Sequence, residues 1–222
     1  MLAGVFCCAL LVPEAPLAPR HHETASLRET LRRPEVQALF GACFCMAAAH
    51  GPLYVFYSIH LVGQGYDKAL VGWMWTLGVL AEIVVFMFMP RLNARFPLRT
   101  VLLAAFVCAV LRFLLIGWGP AFVGLLILAQ LLHGASFGAY HAAAIEAVSH
   151  WFPGRLQAHG QALYGSLSFG AGGMLGGLAS GQAWEVLGPA WTYSLGAGFA
   201  LIGLLWLARG WRPANDAGMR TR

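Results

Sequence analysis

Six long, uninterrupted apolar runs leave this chain very few ways to fold. They lie at about 36–61, 69–90, 100–118, 121–148, 160–182 and 190–208. A helix needs ~20 mostly apolar residues to cross a bilayer, and each run is of that order. Strands are excluded, because the runs are continuous rather than alternating and too long for barrel strands. Turn and breaker residues separate them, in GQGYDK, PRLNARFPLR, GWGP, WFPGRLQAH and EVLGP. Composition agrees: 10% of the residues are charged and 59% hydrophobic, against roughly 25% charged in a soluble domain. The fold class is therefore all-α, a polytopic membrane protein built as a six-transmembrane-helix bundle, with the lipid bilayer as its surroundings.

The segments outside the bundle have their own character. Residues 1–12, MLAGVFCCALLV, are too few to span and lack the early Lys or Arg of a signal peptide. They read as the end of a preceding, truncated transmembrane helix. Residues 13–34, PEAPLAPRHHETASLRETLRRP, are polar and proline-bearing, as a cytoplasmic linker would be. The bundle is expected over 35–208 and a cytoplasmic tail over 209–222. This organisation implies that an N-terminal six-helix half is missing.

Orientation follows from Lys and Arg, which concentrate in cytoplasmic loops. Arg20, Arg28, Arg32 and Arg33 precede the first run, and Arg91, Arg95 and Arg99 lie between the second and third. Arg155 lies between the fourth and fifth, and Arg209, Arg212, Arg220 and Arg222 follow the sixth. These twelve share one side, the other holds only Lys68, and Arg112 lies inside a run. Both termini are thus expected in the cytoplasm, and Pro90 is expected to help stop the second helix just before the arginines. The net charge of +5 is spread over topology anchors, so no nucleic-acid partner is implied. Cys7, Cys8, Cys43, Cys45 and Cys108 all sit in apolar runs without paired histidines. They suggest neither a disulfide framework nor a metal site, and no cofactor is expected.

Ionisable groups at bilayer depth are costly and mark functional sites. Counting at 1.5 Å per residue from each midpoint puts His50, Glu82, Arg112 and His133 within roughly 6 Å of the midplane. Helical spacing adds aromatic surface. His50, Tyr54 and Tyr57 share one stripe; His133, Phe137 and Tyr140 repeat that spacing; Trp75, Gly78 and Glu82 share a face. Packing alone would account for the aromatics, and backbone carbonyls could satisfy the histidines. Glu82 can carry a proton, or it can pair structurally with Arg112 on the next helix. Glu146 and His150 read as interfacial. In the fifth run GSLSFGAGGMLGG sets two stripes of small residues, Ser168, Gly172, Gly176, Ser180 and Gly173, Gly177, Gly181, which let helices approach closely.

The cytoplasmic loop RLNARFPLR resembles a degenerate form of the loop motif of the major facilitator superfamily. HGPLYVFYSIHL (50–61), GWMWTLGVLAEIVVF (72–86), LLHGASFGAYHAAAIEAV (131–148) and FPGRLQAHGQALYGSLSFGAGG (152–173) are similar to its 3-phenylpropionate-type permease branch, related to nucleoside–proton symporters. The likeness covers about 36–208, the C-terminal half of such a transporter. It implies a bacterial inner-membrane permease that moves a small organic solute, an aromatic carboxylate such as a phenylpropionate-like acid, with protons. It also implies that the first, second, fourth and fifth helices line the cavity, and the third and sixth are peripheral. His50, Tyr54, Tyr57, Trp75, His133, Phe137 and Tyr140 are then substrate-binding candidates, Glu82 the proton-coupling residue, and Arg112 a supporting ion-pair candidate. A protonated His50 or His133 could supply a cation for an anionic solute. The alternative is a membrane scaffold or partner subunit with no transport of its own. An enzyme is disfavoured, because HExxH, GxSxG and Cys/His ligand sets are all missing from the sequence.

Overall fold

The computed structural model describes residues 26–212. The 1–12 segment, residues 13–25 of the linker and the tail beyond 212 lie outside the described residues. Every regular element among the described residues is helical. Five helices are long and apolar enough to cross a membrane: Pro34–Gly63, Lys68–Arg95, Leu98–Trp118, Val123–Trp151 and Pro189–Gly210. These are spans one to four and six. Span five, residues 157–187, is continuous in three segments, but its Gly, Ser and Gln content leaves it outside that apolar set. Its contribution is close packing.

The linker is not irregular to its end. Leu27–Arg32 forms a short helix, at whose start the Glu29 carboxylate accepts from the Ser26 N–H at 3.4 Å. Pro34 then opens span one, at a position where its missing N–H costs nothing.

The second span corrects one expectation. Pro90 lies inside the helix, which continues to Arg95. A proline removes a single helical hydrogen bond, and a transmembrane helix tolerates that locally. The stop is Pro97, which forces the preceding Phe96 into extended backbone at φ −123°, ψ 142°. Arg91 and Arg95 are therefore carried on the helix itself.

Span one bends at its middle. His50 sits between Pro34–Ala49 and Gly51–Gly63. Pro52 has no N–H to give the Ala48 carbonyl, and that carbonyl faces the backbone of Gly176 in span five. Span six runs against spans one and three. A Cβ on Gly203 would meet the Phe106 ring at 2.5 Å, and one on Gly41 the Trp206 ring at 2.7 Å. At the arginine-rich end, Arg99 donates to the carbonyls of Trp211 and Ala208, closing the last turn of span six. At the other end, Tyr66 donates to the Pro120 carbonyl at 2.7 Å and Trp118 to Ser194 at 2.9 Å.

Two stretches depart from α-helix: Gly134–Ala139 in span four and Ser166–Gly172 in span five are π-helical. Such wide turns are rare and recur at functional sites. Both are glycine-containing, and both face the region where the polar residues gather.

Candidate functional site

His50 lies at the bend of span one with both ring nitrogens engaged. Nδ1 is 2.8 Å from the Met46 carbonyl, which only accepts, so it carries the proton. Nε2 is 3.3 Å from Arg112 Nη1, which only donates, so it accepts. His50 is thus neutral in a fixed tautomer, and this corrects the expectation that it could supply the cation. Adding a proton would set two donors against each other.

The cation present is Arg112. It is completely buried, and Nη1 also donates to Ser136 Oγ at 3.3 Å. The Phe113 ring lies 5.4 Å from the guanidinium carbon. Arg112 does not pair directly with Glu82, although the two lie on adjacent helices. Glu82 instead meets His133 Nε2, because span four comes against span two through two glycines. A Cβ on Gly134 would meet the Ala81 carbonyl at 2.6 Å, and one on Gly78 would meet Gln130 at 2.8 Å and His133 at 3.2 Å. The Glu82 side chain keeps 18% exposure.

The stripe on span four is also corrected. The ring of Phe137 stacks on His133 at 5.5 Å and 13°, and on His141 at 5.9 Å and 9°. The π-turns widen the repeat, so i, i+4, i+8 replaces i, i+4, i+7, and His141 takes the place expected for Tyr140. Tyr140 turns toward span one, donating to the Cys43 carbonyl at 3.4 Å, with its ring edge-on to Phe106. His141 Nδ1 lies 2.8 Å from the Tyr164 hydroxyl, which links spans four and five next to Phe169.

The remaining candidates divide in two. Tyr54 is 55% exposed and lines a pocket of about 180 Å³ with His50, Phe137, Tyr140, Phe169, Gly173 and Gly177 among its walls. Tyr57 is fully buried, edge-on to Trp75 at 5.3 Å, and Trp75 donates to Ser58 at 3.1 Å. These two lie outside the pocket wall. An apolar cavity of ~150 Å³ is enough for benzene, so the pocket has room for one aromatic ring. Sequence reasoning missed Ser136, Gln130 and His141. Gln130, three residues before His133 in an apolar run, was a legible signal, whereas His141 depends on a π-turn that spacing does not reveal.

A bundle of membrane-spanning helices with buried ionisable groups beside a pocket matches the architecture of one repeat of a secondary-transporter fold. Residues 3–195 match the MFS_1 like family, and the chain belongs to that family. It is 31% identical over 150 residues to a protein of Escherichia coli (strain K12) named "Probable 3-phenylpropionic acid transporter", covering 67% of this chain and 39% of that one. A second protein of the same organism, named "Putative nucleoside transporter YegT", is 31% identical over 150 residues, covering 66% and 35%. A solved structure of the nucleoside transporter NupG superposes with a TM-score of 0.74 at 17% identity, over 95% of this chain and 58% of that one. At that identity the likeness concerns the fold. The resemblance read in the sequence is borne out at the level of family, and the chain spans less than two fifths of each of the two curated relatives and 58% of the solved one.

Proposed function

We propose that this chain is one half of a proton-coupled secondary transporter for a small organic solute, an aromatic carboxylate such as a phenylpropionate-like acid. The observation that carries this reading is the Glu82–His133 pair placed beside a pocket walled by His50, Tyr54 and Phe137. One wall stacks or edges against a ring, and the other holds a proton between two groups. The name of one relative supplies the solute class. The open face carrying Tyr54, Met174 and Leu178, each more than half exposed, suits a second six-helix bundle that completes the route. Vesicles containing this chain alone should show little accumulation of radiolabelled 3-phenylpropionate. Adding an N-terminal six-span half should raise it well above that background. Robust uptake by the isolated monomeric chain would overturn the half-transporter reading.

The basic residues imply that both termini face the cytoplasm of a bacterial inner membrane. Alkaline phosphatase fused after Arg222 should be inactive, whereas a fusion in the loop at Gly65 should be active. The reverse pattern would invert the orientation.

A further inference from the structure

We propose that Arg112 is the centre of an enclosed anion-binding site, whose ligand supplies the acceptor that Arg112, Tyr57 and Gln130 lack. Arg112 spends Nη1 on His50 and Ser136, while Nε and Nη2 have no hydrogen-bond partner. Those two nitrogens form the side-on edge of the guanidinium, with parallel N–H bonds that match a carboxylate. The Tyr57 hydroxyl and Gln130 Nε2 are likewise buried without partners. Tyr57 and Gln130 face each other within hydrogen-bonding reach, close to Arg112, but the geometry between them closes no well-formed bond.

Charge points the same way. A buried guanidinium without a counter-ion is strongly disfavoured. Glu82, the acid nearest this layer, is engaged by His133, and no carboxylate among the described residues forms an ion pair with Arg112. Arg112 Nε and Nη2 and Gln130 Nε2 can only donate, the Tyr57 hydroxyl and the unpartnered His133 Nδ1 can adapt to either role, and one of these groups carries a full positive charge. Glu82 acts on Arg112 only at a distance, and water could accept from these groups but would place no charge against the guanidinium. An anion does both. His50 joins this site to the pocket, since it lines the pocket while holding Arg112.

Two sources fit this chemistry: the carboxylate of a transported solute, which rests on the function proposed above, and a halide, which does not. The test is thermal unfolding of the purified full chain in nanodiscs, in gluconate buffer. Titrants are sodium 3-phenylpropionate, its neutral amide and sodium chloride. A saturable rise in Tm is expected with the carboxylate, with chloride or with both, and none with the amide. A rise with chloride alone assigns the halide; a rise with the carboxylate assigns the solute. Arg112→Gln should abolish the rise. Should that variant not fold, Tyr57→Phe and Gln130→Leu each remove one donor and should raise the half-saturating concentration on the order of tenfold. An equal rise with the amide, no saturable rise with either anion, or unchanged half-saturation in both single-donor variants would overturn the site. Anion binding without solute accumulation in the assembled protein would overturn only the transport reading. Accumulation without anion-dependent stabilisation would overturn only this one.

Discussion

Glu82→Gln in the assembled transporter should abolish accumulation driven by a pH gradient and leave solute exchange largely intact. One pH unit across the membrane is worth ~1.4 kcal/mol per coupled proton, or roughly tenfold accumulation. A variant that cannot carry the proton falls to simple equilibration. Glu82 meets His133 Nε2, so a proton moving between them would change both partners, and on the proposed function the pair is the unit that would load and unload. The amide that Glu82→Gln introduces still hydrogen-bonds His133 and is cheaper to bury than a carboxylate, so the protein should reach the membrane. His133→Gln should weaken coupling too, by removing the group that holds the carboxylate in place. Arg112→Gln is not expected to rescue Glu82→Gln, because Arg112 is held by His50 and Ser136 instead. Uptake and counterflow at matched expression decide the matter. Full pH-driven accumulation by Glu82→Gln would remove the coupling role.

Much of this arrangement was legible before any coordinates. Uninterrupted apolar runs identify spans, and scarce charges at mid-depth stand out against them, which is why His50, Glu82, Arg112 and His133 could be placed in one layer. Partner choice was not legible. Sequence spacing puts Glu82 and Arg112 on adjacent helices, but the glycines at 78 and 134 bring span four against span two first, and His133 reaches Glu82. Helical periodicity failed where the helix stops being α, at the π-turns that bring His141 onto the stripe of His133 and Phe137, and it grouped Tyr57 with Tyr54 although only Tyr54 lines the pocket. Pro90 misled because a proline removes a single helical hydrogen bond, which a membrane helix tolerates locally.

The two stripes of small residues on span five read alike in the sequence, and the structure separates them. Gly172 and Gly176 face span one: a Cβ on Gly172 would meet the Phe44 carbonyl at 2.5 Å, and one on Gly176 would enter the Ala48 backbone. Backbone cannot swing aside as a flexible side chain can. Gly173 and Gly181 have nothing within 4 Å of an added Cβ. Gly176→Ala should therefore force the helices apart and lower stability by ~1–3 kcal/mol, the usual range for overpacking, with Gly172→Ala similar. Gly173→Ala and Gly181→Ala should be neutral or gain up to ~1 kcal/mol from helix propensity. The effect reaches the site, because the Ala48 carbonyl that approaches Gly176 lies two residues before His50, and moving that crossing moves the bend that holds the ring against Arg112. Thermal unfolding in detergent for the four variants reads the contrast directly. Equal stability across both stripes would mean that spans one and five do not cross at Gly51 and Gly176, and with that crossing would go the geometry that places His50 in the pocket wall.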